Sequence, residues 1–378
     1  MSKRKVLIAG AGMGGLCLAH ALRRLDIDAV VFERESRAGE RAQGYRLHLD
    51  SVGVDALRAA LPPPLYARFA ATAMHPRPFT AILDQHLAEI RRIDAGHVPG
   101  VHLNVNRATL RQILLESLDV RFGAAFVSYA SDAGGVTARL SDGTEVRGDM
   151  LVGADGIHSA VRRQRLPQAH IQDTGLRVIY SRIPIERARV IAPQQALEDV
   201  FAVSVDGDKR MLGMGAVIFP TAPALVGLEA VEDYVTCIVG GRLALFEQDA
   251  TRLRGASSPE LCAIMQRFVA SWPEQTRAIV DAADPSSAFA IEMRTSVPLA
   301  PFAPSNVTLL GDAIHTMTPT LGRGANMALH DAALLARHLA SSRDPIAAYE
   351  ADMIRDGFAA VRASASAGAR IMGQPPLE

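Results

Sequence analysis

The sequence predicts an α/β protein: a Rossmann-like domain of dinucleotide-binding type with a second domain, built on a mainly antiparallel sheet, inserted into it. Three observations carry that prediction. The chain opens on an apolar run, Lys5-Val6-Leu7-Ile8-Ala9, that ends abruptly in Gly10-Ala11-Gly12-Met13-Gly14-Gly15 and passes into a helix-prone segment, Leu16 to Leu25. Two later apolar runs, Asp149 to Gly153 and Asn306 to Leu310, end likewise in small residues and an acid. Between them, from Gly175 to about Phe289, short strand-like runs and hairpin turns replace the strand–helix rhythm.

Gly10, Gly12 and Gly15 stand at the G-x-G-x-x-G spacing between a strand and a helix. Gly10 permits the tight turn, Gly12 lets backbone amides approach a pyrophosphate, and Gly15 lets the helix pack close to the strand. Met13 and Gly14 belong to the same turn, where free N–H groups and the helix dipole favour bound phosphate. A second strand, Ala29 to Phe32, delivers Glu33 about 20 residues on, where a carboxylate bonds ribose hydroxyls. These residues predict dinucleotide binding and leave open whether the ligand is NAD or FAD.

The remaining elements follow in order. Arg34 to Arg46 is a polar connection, and Tyr45 to Leu49 alternates as a short strand. Ser51 to Leu61 reads as a helix closed by Pro62-Pro63-Pro64. Phe79 to Leu83 and Leu87 to Ile93 form a hairpin about Asp84-Gln85 that leaves the nucleotide domain. Asn104 to Leu118 returns to helix, with Asn106 as its cap and Leu110, Ile113, Leu114 and Leu118 as its apolar stripe. Val120 to Phe122, Gly135 to Leu140 and Glu145 to Arg147 are short strands, the last two joined by a turn at Ser141-Asp142-Gly143-Thr144. Asp149 to Arg162 is a buried strand followed by Asp155, Gly156 and a helix start near Ser159.

In the inserted region, Val178 to Ile183, Asp199 to Val205 and Arg210 to Phe219 are antiparallel strands, with a turn at Asp206-Gly207-Asp208. Ser258-Pro259-Glu260 starts a helix running to about Val269. Asn306 to Leu310 is the last buried strand. It leads through Gly311-Asp312 and Pro319 to Gly322, Gly324, Ala325 and Asn326, then to a periodic helix and a further helix from Pro345 to about Ala367. The tail from Gly373 is expected to fray.

Composition narrows the function classes. The 378 residues carry a formal net charge of +0 with no block of like charge, so neither nucleic acid nor an anionic membrane is an expected partner. The three cysteines, Cys17, Cys237 and Cys262, form no C-x-x-C and no metal spacing, and read as reduced thiols of a cytoplasmic protein. The uncharged stretch Met211 to Leu228 contains Pro220 and Pro223, so it reads as strand and loop, not as a membrane span.

Three separated motifs carry a resemblance. They are the glycine turn with Glu33, the Gly153-Ala154-Asp155-Gly156 segment with Ser159 and Arg162, and Gly311-Asp312 with Pro319, Gly322, Gly324 and Asn326. In this order they resemble the single-component FAD-dependent aromatic hydroxylases of the p-hydroxybenzoate hydroxylase type. The resemblance implies a glutathione-reductase-type FAD-binding domain over 1–75, 100–174 and 290–378, and a substrate-binding domain over 76–99 and 175–289. It implies that Asp312 accepts a hydrogen bond from an FAD ribityl hydroxyl. It also implies that Gly322, Gly324, Ala325 and Asn326 bring backbone to the flavin ring, that Arg107 reaches the phosphate region, and that Asp155 serves FAD and NAD(P)H. Arg34 and Arg41 are further cofactor candidates. Arg182, Met214, Arg294 and Pro319 are candidates for substrate contact.

The activity implied is hydroxylation of an aromatic or polycyclic small molecule with NAD(P)H and O2, through a flavin hydroperoxide, by a monomer or homodimer. No catalytic side chain is assigned, and no metal is expected. The same fold would also suit an FAD-dependent reductase or dehydrogenase, or a non-catalytic flavin- or ligand-binding protein. His48 and His315 read as structural histidines, and Cys17 as packing beneath the first helix.

Overall fold

The computed structural model describes residues 4–40, 45–94 and 100–377. Apolar strands buried on both faces suit a parallel sheet, and Val6, Leu7 and Ile8 have no exposed surface. Their strand, Lys5–Ala9, is the middle of a five-stranded sheet with the order Val307–Leu309, Met150–Gly153, Lys5–Ala9, Asp28–Phe32, Val120–Arg121. Every pairing in it is parallel. The helix Met13–Arg24 follows the first strand, and the helix Gly324–Ser341 packs against that helix. Gly14 makes the approach possible: a Cβ there would stand 2.7 Å from Leu310 Cδ1 and 2.9 Å from the Ala328 carbonyl oxygen.

The inserted region forms a seven-stranded sheet with the order Phe289–Ser296, Ile171–Pro184, Tyr234–Arg242, Met211–Val217, Asp199–Val205, Arg77–Leu83, Glu89–Asp94. Only the Asp199–Val205 and Arg77–Leu83 pairing is parallel. One face packs on the helices Ser258–Phe268 and Glu274–Asp281 through Ile179, Ile183, Met214, Val235, Ile264 and Trp272. The other carries Leu176, Val178, Val203, Ile238 and Met293, joined by Met372 at the end of the last helix, Pro345–Met372. A short antiparallel ribbon, Arg46–Leu49 with Leu103–Asn106, lies between the two sheets.

Several expectations are corrected. Phe126–Asp132, Tyr234–Arg242 and Phe289–Ser296 are strands that the pattern reading did not assign. Tyr234–Arg242 is buried over its first eight residues, so a central strand of this sheet shows no alternation to find. Phe289–Ser296 pairs with Ile171–Pro184, so the large sheet runs past the expected boundaries at 175 and 289. The proline run does not only close a helix: Pro63 opens another, Pro63–Thr72, since proline in the first turn loses no hydrogen bond. Ser257, not Ser258, caps its helix, and its own N–H donates to Glu260 Oε2 at 2.7 Å. The tail does not fray at once. Gln374 is buried, its N–H donates to the Gly368 carbonyl at 3.2 Å and its Oε1 accepts from Thr318 Oγ1 at 3.0 Å. Among the described residues, no helix is long and apolar enough to cross a membrane, and the three cysteines are free.

Candidate active site

The glycine turn sits at the carboxyl end of the central strand. Gly10 has φ +109, and a Cβ there would fall against the Ala154 carbonyl oxygen; one on Gly15 would fall against the Gly10 carbonyl oxygen. Around Gly12, by contrast, nothing stands within 4 Å of where a Cβ would be. The first turn of Met13–Arg24 has no side-chain cap, so its amides face that open space. Met13 itself is a core side chain, 7% exposed, and contributes to the turn through its backbone alone.

Glu33 is largely buried and turned inward. Its Oε2 accepts from Ala11 N at 2.8 Å and its Oε1 from Glu35 N at 3.0 Å. Beside it lies Arg111, which donates to the Ala11 carbonyl at 3.1 Å and pairs with Glu35 at 2.8 Å. Sequence reasoning missed Arg111. Its signal was available: it falls one turn after Arg107, next to the apolar stripe of Arg107–Leu115, where a solvated arginine does not belong. Arg34 is exposed at the rim, and Arg41 lies outside the described residues.

Asp155 lies beside the same turn, its Cα 2.9 Å from where a Cβ on Gly10 would be. Its Oδ2 accepts at 2.7 Å from Ala160 N, the first amide of the helix Ala160–Arg165 that Ser159 caps, while Oδ1 is buried without a partner. Burial pushes its pKa up, and hydrogen bonds from Ser159, Val161 and Ala160 pull the other way. Arg162 ties this motif to the third, donating to the Ala313 and Ile157 carbonyls at 2.9 and 2.8 Å.

Asp312 follows Gly311, whose φ is +58. Solvent reaches Asp312, yet surrounding protein crowds it enough that desolvation raises its pKa, against the pull of His315 and Arg107. An accessible but crowded carboxyl is one that faces a crevice. Oδ1 lies 3.9 Å from where a Cβ on Gly324 would be, at the start of Gly324–Ser341. The amides of that first turn, Gly324, Ala325 and Asn326, have no intrahelical acceptor. Arg107 completes the wall, its guanidinium 5.5 Å from the centre of the Tyr45 ring.

The Asn326 side chain is engaged by the protein itself. It is fully buried, accepts from Asp50 N at 2.9 Å, and donates to the His48 and Gly322 carbonyls at 2.9 and 3.0 Å. Gly53 leaves it room. Asn326 therefore staples the Gly322 turn to the ribbon, and only its backbone remains for the crevice.

Next to Asp312 the crevice meets an aromatic surface. Tyr45 packs on Tyr180 and Phe289 with centroids 5.6 and 5.8 Å apart, and those two rings stack at 5.3 Å. Arg46 lies over Phe201 at 5.1 Å. Strand alternation places these side chains on the face opposite the helices. Of the expected substrate residues, Arg182 shares that face, over the Tyr234 ring at 5.5 Å. Pro319 is exposed and opens the turn before Gly322. Met214 is a correction: it has no exposed surface and packs in the core on the helix side. Gly213 and Gly215, its neighbours, are the residues toward Phe201 and Arg46. Arg294 is a second correction. It follows Met293 onto the other face and pairs with Glu292 at 2.9 Å. It acts electrostatically on His158 together with Arg34, Arg162 and Arg163, so these cations gather around that histidine, Arg162 from within.

A surface concavity of about 450 Å³ lined by Arg4, Asp149, Met150 and Pro345 lies at the amino ends of the parallel strands, the end away from this chemistry. Among the described residues, no group of three or more His, Cys, Asp or Glu side chains is arranged to hold a metal ion.

The open space at Gly12, the unpartnered Asp155 Oδ1 and the crowded Asp312 suit one elongated dinucleotide laid across the strand ends. Comparison with known proteins agrees. Residues 3–212 and 264–345 match the family model described as FAD binding domain. The chain is 31% identical over 99% of its length to the dual O-methyltransferase/FAD-dependent monooxygenase CTB3 of Cercospora beticola, of which it covers 47%. It thus spans about half the length of that curated relative. To the FAD-dependent monooxygenase thnD of Trichoderma harzianum it is 27% identical, covering 98% of this chain and 95% of the relative. Among solved structures, a candidate FAD containing monooxygenase from Photorhabdus luminescens subsp. laumondii superposes with a TM-score of 0.85 at 28% identity, over 98% of this chain and 99% of that one.

Proposed function

This chain belongs to the FAD binding domain family, and from that premise we propose that it is an FAD-dependent monooxygenase that uses NAD(P)H and O2 to hydroxylate an aromatic or polycyclic small molecule. The observation that carries the reading is the junction of two surfaces. Asp312, in its crevice, acts electrostatically on Tyr45, and Tyr45 packs on Tyr180 and Phe289. A cofactor held by the first surface would face a flat apolar ligand held by the second.

The chain's residues divide accordingly. The turn amides from Gly10 to Gly15 and the Glu33 carboxylate suit the adenosine and phosphate half of FAD, braced by Arg111. Arg107 suits the phosphates, Asp155 the middle of the cofactor, and Asp312 the ribityl hydroxyls. Amides of Gly324, Ala325 and Asn326, at a positive helix end, suit the electron-rich edge of the ring. The chemistry that FAD supplies when bound is two-electron oxidation of NAD(P)H and activation of O2. Tyr45, Tyr180, Phe289 and Phe201 keep water from that reaction and hold an aromatic ligand by stacking. Arg34, Arg163 and Arg294 around His158 form a positive rim suited to the phosphates of a nicotinamide dinucleotide that visits without its own glycine motif.

In this reading the parallel-sheet half carries FAD and the large sheet carries the substrate, close to the division at 76–99 and 175–289 but with Phe289–Ser296 on the substrate side. The protein works in the cytoplasm as a monomer or homodimer, and its Gly10 turn and Asp312 crevice are cofactor-binding.

The test is a screen of aromatic and polycyclic compounds for acceleration of NAD(P)H oxidation by the FAD-loaded protein, read by product mass. A product heavier by one oxygen atom, made only with O2 present, supports the proposal. Anaerobic turnover, or purified protein without affinity for FAD, sinks it.

A further inference from the structure

The roles above leave a pair of histidines unused. His48 lies on the ribbon strand Arg46–Leu49, and His102 directly precedes its partner strand, Leu103–Asn106. Nε2 of His48 and Nδ1 of His102 are 2.9 Å apart, and the rings lie within 10° of parallel. The backbone of His48 is fixed as well, since its carbonyl accepts from Asn326, which also holds the Gly322 carbonyl. The ring therefore stands beside the Gly322 turn, its Nδ1 3.7 Å from where a Cβ on Gly322 would be. Among the described residues, Nδ1 of His48 has no hydrogen-bond partner and is not sealed from solvent.

We propose that His48 and His102 form a proton-passing pair for the substrate, with Nδ1 of His48 accepting a proton from an acidic hydroxyl or N–H of the bound molecule. This rests on the monooxygenase reading and names the kind of substrate it takes. As the ligand's proton reaches Nδ1 of His48, the proton on Nε2 crosses to Nδ1 of His102, and the proton on Nε2 of His102 passes to water. Each bond to hydrogen that breaks is replaced by one that forms. Both rings end neutral, and the negative charge stays on the substrate. A proton returned along the same path to the product resets the pair.

The arrangement explains why two histidines are needed. Burial, then Arg46 and His102, pull His48 down to about 3, so alone it would not hold a proton near neutral pH. Passing a second proton on in the same motion avoids forming the imidazolium. Arg46, two residues away on the same face of the ribbon, is the cation positioned to balance the anion left behind. An electron-rich oxyanion is also the form of an aromatic alcohol most readily attacked by an electrophilic oxygen.

Ring-nitrogen ¹⁵N NMR of the FAD-loaded protein, assigned with His48→Gln and His102→Gln, tests the pair without substrate. The expected spectrum has His48 bare at Nδ1 and protonated at Nε2, with no imidazolium near neutral pH. A His48 protonated at Nδ1, or one titrating near the ordinary value of about 6.5, overturns the proposal. Absorbance of bound 1-naphthol then reads the proton transfer, with its methyl ether as control. Each variant is expected to raise the pKa of the bound naphthol by about one unit, a tenfold loss of ionisation. An effect of His48→Gln with none of His102→Gln overturns the relay. If no aromatic alcohol binds, the substrate reading fails, and the NMR result still decides the pair.

Discussion

The imidazole of His315 and the carboxylate of Asp331 meet at 2.6 Å, Nε2 to Oδ2, with almost no solvent access on either side chain. The same oxygen accepts from Gly311 N at 2.8 Å, so one carboxylate holds both the histidine and the turn that presents Asp312. Gly357 of the last helix leaves room for the ring: a Cβ there would stand 2.8 Å from His315 Cγ. The pair supports the crevice from behind and does not face it.

That pair predicts a pH dependence of stability. Burial alone would lower the pKa of His315, but Asp331, and then Asp312, raise it above the ordinary 6.5. A histidine raised on folding adds stability that is complete below the unfolded value of about 6.5 and is lost as pH rises through the folded one. Asp331→Asn should cost about 3 kcal/mol at low pH, with the deficit shrinking in alkaline solution. Urea unfolding of both proteins across that range checks it; a constant deficit would mean that the charge pair is not the cause.

Glu350 predicts a second dependence. Burial raises its pKa from 4.5 to about 7, against the hydrogen bond from Thr308 at 2.8 Å. A carboxyl that holds its proton more tightly when folded loses stability as pH rises between those two values. Glu350→Gln should match wild type near the lower one and exceed it by up to about 3 kcal/mol above neutrality. Equal pH profiles in thermal or chemical unfolding would refute this.

The first two glycines of the opening turn should separate folding from binding. Gly10→Ala introduces a Cβ against the Ala154 carbonyl at φ +109, and should unfold at lower temperature and carry no FAD. Gly12→Ala meets no protein atom within 4 Å. It should remain within about 1 kcal/mol of wild-type stability, the cost of an alanine N-cap. Its FAD affinity should nonetheless fall about tenfold or more, because the added methyl occupies the approach to the amides. Melting temperature and bound FAD per chain, measured together, decide it.

Met214 and Tyr180 should behave oppositely. Met214→Ala opens a cavity in the core on the helix side and should cost about 2–5 kcal/mol without changing KM for the substrate. Tyr180→Ala removes part of the aromatic surface shared with Tyr45 and Phe289, and should raise KM with a smaller loss of stability. Steady-state kinetics beside denaturant unfolding tests both, and a KM effect from Met214 would place that side chain in the cleft after all.

Local pattern was enough to read the strand–turn–helix at Lys5 to Leu25, the strands ending at Gly153 and Leu309, and the Asn106 cap, which accepts from Thr109 N at 3.0 Å. Those features depend on side-chain periodicity and glycine freedom among neighbours in the chain, and residue order carries both. The same is true of the glycines at 10, 12 and 15, where the spacing itself states the need for room. What the order of residues left undecided was direction and partnership. Alternation gives Met211–Val217 two faces, but only the packing of Ser258–Phe268 and Glu274–Asp281 onto one of them puts Met214 in the core and leaves Gly213 and Gly215 toward the cleft. The Asn326 side chain has no readable role until the fold brings Asp50 and His48, more than 270 residues earlier, within reach of its amide. Arg111 finds Glu35 and the Ala11 carbonyl, and His48 finds His102, in the same way. Each of these is a contact between distant segments, and the energy that selects it exists only once both sheets are packed.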